Sequence, residues 1–198
     1  MKKLLTMVFL FAGLCAAATI TPYTDEGLWN VAVAAAAQYE FTETFDDAVF
    51  EPWLTITSDQ PGGVVAFQWQ SVVDSNPVKN DTFYFSAPNV IAFCGTFNLV
   101  IPGGAGEGID IFANMVTAGG YTQAYQLPRD FSGFLGFVVT GDTFTNVQLR
   151  GGQNPLGIQE TYWLDDLSIA GNVPEPSTLY LMIGPGLLLA GRLIRRRR

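Results

Sequence analysis

The residues able to do chemistry in this chain are carboxylates and aromatic rings. No histidine occurs among the 198 residues, which excludes a Ser-His-Asp triad, a Cys-His pair and a histidine-built zinc site. Two groups of carboxylates stand out, Glu43, Asp46 and Asp47 in ETFDD, and Asp165 and Asp166 in TYWLDDLSI. If the strands carrying them are neighbours, the five side chains converge as oxygen donors for a structural Ca2+ ion that fastens the first strand to the last. Standing apart, they are solvated charges that guard strand edges. Glycosidases need two carboxylates about 5–9.5 Å apart in a cleft, and nothing in the spacing singles out such a pair, so no enzyme activity is expected. The aromatic candidates are Trp53, Tyr84, Tyr121, Tyr125 and Trp163, at loop edges or on the second face of strands. Sugars stack on such rings while a polar rim supplies hydrogen bonds; the competing reading places these rings in the core.

Other motifs carry less. The glycines at Gly103, Gly104, Gly106 and Gly108 lack the lysine and the Ser/Thr of a phosphate loop and read as a hairpin connection. Asn80-Asp81-Thr82 is a formal glycosylation sequon with nothing beside it to give it weight. Cys15 lies in the apolar N-terminal stretch, which leaves Cys94 alone in NVIAFCGTFNLV. That alternating segment predicts a buried, unreactive thiol and no internal disulfide.

The elements that must position these residues are mostly strands. Thr24, Asp25 and Glu26 read as a helix start, and Leu28, Val31, Ala32 and Ala35 recur at helical spacing, predicting one short amphipathic helix. After it the period changes to two. YEFTETF, VVAFQW, DTFYF, NVIAFCGTFNLV, GIDIFANM, YTQAYQL, FLGFVVT, TFTNVQL and TYWLDDLSI alternate between apolar and polar positions, separated by turn clusters rich in Gly, Pro, Asn and Asp. In VVAFQW the alternation puts Val65, Phe67 and Trp69 on one face. About nine such strands predict an all-β fold, an antiparallel β-sandwich of jelly-roll type with a short leading helix.

The two ends read differently from the middle. Lys2 and Lys3, an apolar run from Leu4 to Leu14 and the small residues of CAAAT have the layout of a secretory signal peptide over residues 1–18. The sandwich domain then covers 19–171, and 172–198 form a separate C-terminal segment. Between Asp25 and Glu175 stand all eighteen acidic residues and only Lys79, Arg129 and Arg150 as basic ones, a net charge of −15 for the exported portion. Such a surface repels phosphate backbones, so nucleic-acid binding is excluded. It suits solubility, cations or neutral sugars.

After the linker AGNVPEPST, the apolar run Leu179–Ile194 makes a hydrophobic helix interrupted by Gly184, Pro185 and Gly186, and five arginines occupy the last seven positions. At 1.5 Å per residue it would reach about 24 Å, short of the roughly 30 Å hydrocarbon core. The order of VPEPST, apolar run and arginines resembles the PEP-CTERM sorting signal of Gram-negative bacteria, with Pro174, Glu175 and Pro176 matching the motif that gives that family its name. The resemblance implies a precursor held briefly in the inner membrane, handled by signal peptidase and an exosortase, and delivered to the cell surface or exopolysaccharide matrix. The middle, from Thr24 to Ala170, more loosely resembles an exported domain common among such proteins. The expected role is structural or adhesive, with carbohydrate binding to exopolysaccharide as the alternative.

Overall fold

The computed structural model describes residues 17–75, 78–100, 107–152 and 159–173. The expected leader, most of the glycine-rich connection and the motif Pro174, Glu175 and Pro176 with the helix expected after it lie outside the described residues. Among those described, no helix is long and apolar enough to cross a membrane.

One helix and twelve strands are described. In chain order they are β1 (Thr19–Tyr23), α1 (Glu26–Ala36), β2 (Tyr39–Glu43), β3 (Leu54–Ser58), β4 (Gly63–Val65), β5 (Gln68–Ser75), β6 (Val78–Phe85), β7 (Val90–Asn98), β8 (Ile109–Met115), β9 (Gly120–Leu127), β10 (Ser132–Thr140), β11 (Phe144–Gly151) and β12 (Glu160–Gly171). Every pairing is antiparallel. One layer runs β1-β10-β7-β12-β5, with β4 on β5 and with β2 continuing the β5 edge of β12. The other runs β3-β6-β11-β8-β9. The β5–β6 hairpin and a single bridge from Phe144 to Val90 join the layers.

Alternation along the strands fills the space between the layers. Phe83, Phe93, Phe97, Phe137, Phe144, Ile111, Val147, Leu149 and Leu164 are all buried there. At about 25 cal/mol per Å² of apolar surface removed from water, burying each such side chain contributes roughly 1.5–3 kcal/mol. The rings meet in sequence, Phe85 against Phe93 and Phe144, and Phe137 against both of those, with centroids 5.4–6.3 Å apart. A polar cluster enters this interior: Trp69 donates to the Tyr162 hydroxyl at 3.2 Å, Tyr162 donates to Asp81, and burial pushes the Asp81 carboxyl above the ordinary carboxylate range, against the lowering effect of Ser58, Tyr162, Ser71 and Trp69.

Two expectations are corrected. The packed face of α1 is Trp29 and Val33, while Leu28 and Val31 are exposed. The alanine run leaves the apolar stripe ambiguous, and the docking partner decides it. Trp29 lies over Gly136, where a Cβ would stand 2.5 Å from its ring, and its indole N–H donates to the Phe137 carbonyl at 3.4 Å. Asp25 rather than Thr24 caps the helix, accepting from the Leu28 amide at 2.9 Å.

The second correction concerns VVAFQW, which is two strands. Ala66 and Phe67 take left-handed backbone angles, φ 51° and 64°, and form the tip of a β4–β5 hairpin. Phe67 is therefore exposed and does not share a core face with Trp69. Cys94 is buried, but on the helix side of its layer. Phe93 and Phe97 point between the layers, so the parity of β7 turns Cys94 toward Trp29 and Val33. Burial pushes its thiol far above the usual range.

Candidate ligand-binding face

The outer face of the β3-β6-β11-β8-β9 layer is built by the same alternation that fills the core. Phe83, Val147 and Ala113 point inward, so the flanking positions point outward, and the registers align them in rows across the strands. Thr55, Tyr84 and Asn146 are consecutive cross-strand partners, and beyond them Asn114 pairs with Tyr121. The next row is Thr57, Thr82, Gln148, Phe112 and Gln123, and the one after it holds Asn80, Arg150, Asp110 and Gln126.

These side chains hold each other in place. Arg150 donates from Nε to Gln148 Oε1 at 2.6 Å, and Gln148 donates in turn to the Thr82 hydroxyl at 3.2 Å. The Arg150 guanidinium lies 4.3 Å from the Phe112 ring centroid and 5.3 Å from that of Tyr121, close enough for cation–π attraction. Gln123 donates to Asp110 at 3.1 Å. Burial raises the Asp110 carboxyl, and Arg150 beside it pulls the other way. Burial also raises the Tyr121 phenol, with Tyr84 adding to the rise and Arg150 opposing it, so the three groups share one electrostatic neighbourhood. Tyr84 and Tyr121 are 43% and 41% exposed, whereas Asn146 between them is 4% exposed. The amide oxygens of Asn146 and Asn80 are buried without a hydrogen-bond donor.

Such a face offers ring edges and faces, amide and hydroxyl side chains and a pinned guanidinium. Flat rings bounded by amide, hydroxyl and carboxyl groups suit a polyhydroxylated ligand better than an apolar one. Of the aromatic candidates, the structure brings Tyr84 and Tyr121 together here. Tyr125 is half-buried against the core, across from Ile111, where a bulge near Ala124 shifts the register of β9. Trp163 sits on the other layer between Gln70 and Asn98, its indole N–H buried without an acceptor. Trp53 precedes β3 at the open edge between the layers and packs on Phe41 and Phe85.

The carboxylate candidates do not gather into one centre. β2 does pair with β12, Glu43 opposite Leu167, so the seam expected from the sequence exists. Glu43 is buried and engaged, however, accepting from the Phe45 amide at 2.7 Å and the Glu51 amide at 2.8 Å. Asp46 accepts from the Thr44 hydroxyl and Asp47 from the Val49 amide. Asp165 accepts from Gln68 and from the Asp166 amide. Among the described residues, no three such groups converge closely enough to hold a metal ion. What remains of the seam is repulsion: burial, then Asp165, Glu26 and Asp46, raise the Asp166 carboxyl.

Sequence reasoning passed over Arg150, Asn146, Gln148, Asp110 and Phe112. For Asn146, Gln148 and Arg150 the signal was present in TNVQLR, where the outward positions of β11 are amides and a guanidinium in a chain otherwise dominated by acidic surface; Asp110 and Phe112 join them from β8 only through the register.

No protein-family model matches the chain, and no curated protein matches it. Among solved structures it is similar to family 29 carbohydrate-binding modules. A single-residue variant of one superposes with a TM-score of 0.49 at 7% identity, covering 68% of this chain and 94% of that one. A module from Piromyces equi gives 0.48 at 9% identity, covering 69% and 93%. A further variant, complexed with cellulohexaose, gives 0.47 at 9% identity, covering 68% and 92%. At these values the likeness is one of general strand architecture.

Proposed function

We propose that this chain is an exported, non-catalytic module that binds an uncharged polysaccharide of the cell surface or matrix through the outer face of β3, β6, β11, β8 and β9. The observation that carries the reading is the pair of half-exposed rings, Tyr84 and Tyr121, set among rows of amide, hydroxyl and guanidinium side chains on one sheet face. The rings receive the C–H faces of the sugar. Arg150 and Asp110 offset each other on this face, and the net charge of −15 elsewhere disfavours polymers bearing carboxylates or phosphates. Isothermal titration against gluco-, manno- and xylo-hexaose tests the reading. Tyr121→Ala should weaken the binding at least tenfold, about 1.4 kcal/mol, with an unchanged melting temperature. Failure of all three sugars to bind the wild-type domain at millimolar concentration would refute it.

Delivery follows from the tail in this proposal. Residues from Val173 onward resemble a PEP-CTERM signal, so an exosortase would act near Pro174, Glu175 and Pro176 and leave the sandwich at the surface as an adhesive or matrix component. Intact-mass measurement of cell-associated and released protein is the test. Mature surface protein that still carries the arginine tail would rule out processing.

A further inference from the structure

The geometry points to a second sugar-binding site at the open mouth of the sandwich beside β2, which makes the molecule bivalent toward the polymer class bound by the sheet face. The inference rests on the carbohydrate-binding reading above and adds a separate place and a consequence to it. Phe41 occupies a core-facing position, opposite the fully buried Ile169. It is nevertheless 40% exposed, because the layers part at this edge. Its ring lies near-parallel to Trp53, 21° and 6.1 Å between centroids, and against Tyr39 at 5.0 Å. The strip borders a cleft of about 610 Å3 whose other walls include Glu51, Pro52 and Ser86. Binding sites for small ligands fall within roughly 300–1,000 Å3, and this one combines ring faces with carboxylate and hydroxyl acceptors in the way such sites do.

The strip is held rigidly. Trp53 packs on Phe85 and through it on the core rings. Tyr39 donates its hydroxyl to the Pro88 carbonyl, and burial pushes its phenol up to about 12. Gly171 makes room for it, since a Cβ there would stand 2.3 Å from the Tyr39 oxygen. Glu43 ties down the Phe45 and Glu51 amides, which positions the segment that carries Glu51 and Trp53. A site that is already ordered loses little entropy on binding. The Glu51 carboxylate at the rim disfavours acidic sugars, leaving uncharged pyranose units whose hydroxyls donate to Glu51.

Titration of the wild-type domain with the tightest-binding hexaose of the panel should give a stoichiometry of two. Phe41→Ala and Tyr121→Ala should each reduce it to one, and the double variant should abolish binding. Glu51→Gln, which removes a rim charge and no apolar surface, should weaken only the site that Phe41→Ala removes, so a folding defect in the aromatic variant does not decide the result. A stoichiometry of one that Tyr121→Ala abolishes and Phe41→Ala leaves intact would overturn the second site and leave the sheet face standing. A stoichiometry of one that Phe41→Ala abolishes would overturn bivalency and the sheet face together. Two hexaoses bound, with long polymer forming precipitates that the single variants do not form, would establish cross-linking.

Discussion

Two aspartates show how the same side chain is stabilising or costly according to its surroundings. Asp142 would be raised by burial, but the amides of Ala118, Thr117 and Thr143 outweigh that and hold its carboxyl below the usual range. Its oxygens accept from Thr117 at 2.8 Å, Ala118 at 2.9 Å and Thr143 at 2.8 Å, so it fastens the turn before Tyr121. A depressed carboxyl stabilises the fold above its ordinary range and loses that effect as pH falls through the folded value. Asp142→Ala should therefore cost about 2 kcal/mol at neutral pH and less in acid, read from urea unfolding at several pH values. Asp166 has the opposite sign. Raised by burial and by its acidic neighbours, it opposes folding when ionised. Because it takes φ 48°, which asparagine tolerates, Asp166→Asn should stabilise by a few tenths of a kcal/mol at neutral pH. The gain should vanish at pH values where Asp166 is itself protonated. Its full persistence in acid would show that charge is not the cause.

At the level of elements, turn chemistry and close packing decided what periodicity left open. The β4–β5 tip places Ala66 and Phe67 in the left-handed region, each at a cost of about 1 kcal/mol relative to glycine or asparagine. Ala66→Asn with Phe67→Gly should raise stability by about 1–2 kcal/mol, since Phe67 is 67% exposed and little burial is lost. Gly136→Ala should do the reverse. Its Cβ would meet the Trp29 ring at 2.5 Å and the Cys94 Cβ at 2.9 Å, displacing α1 at a cost of about 2 kcal/mol. Cys94, unreactive in the wild type, should then react with a thiol reagent in the native state; continued protection would mean the helix docks some other way. The alternating strands were legible from the sequence because burial on one side imposes period two. VVAFQW misled because hydrophobic alternation continues straight through a hairpin tip whose two residues lack the glycine or asparagine that marks such turns. α1 misled because alanine is equally at home on any face, and Gly136, distant in sequence, selects Trp29.

Across the whole molecule, charge and connectivity have consequences that no single strand carries. A domain with fourteen excess negative charges repels itself, and added salt screens that repulsion. Raising sodium chloride from about 10 mM to about 0.5 M should lift the melting temperature by several degrees, and a shift common to sodium and calcium at equal ionic strength would identify screening as its origin. The carboxylates were easy to find in the sequence and hard to interpret, because their engagement by backbone amides depends on turn geometry that residue types do not reveal. The candidate face was half legible. Tyr84 and Tyr121 were visible as aromatics, whereas Arg150 and Asn146 became neighbours of those rings only through the registers of four strands. β12 carries a further meaning. It is twelve residues long and is paired with β7 on one side and with β5 and β2 on the other, and the chain leaves it at Gly171 toward the C-terminal segment. Tension applied through that segment runs along β12, against its hydrogen bonds in shear, so many must break together. A load that would peel an edge strand away bond by bond is therefore borne, when it enters at this end of the chain, by the centre of the layer.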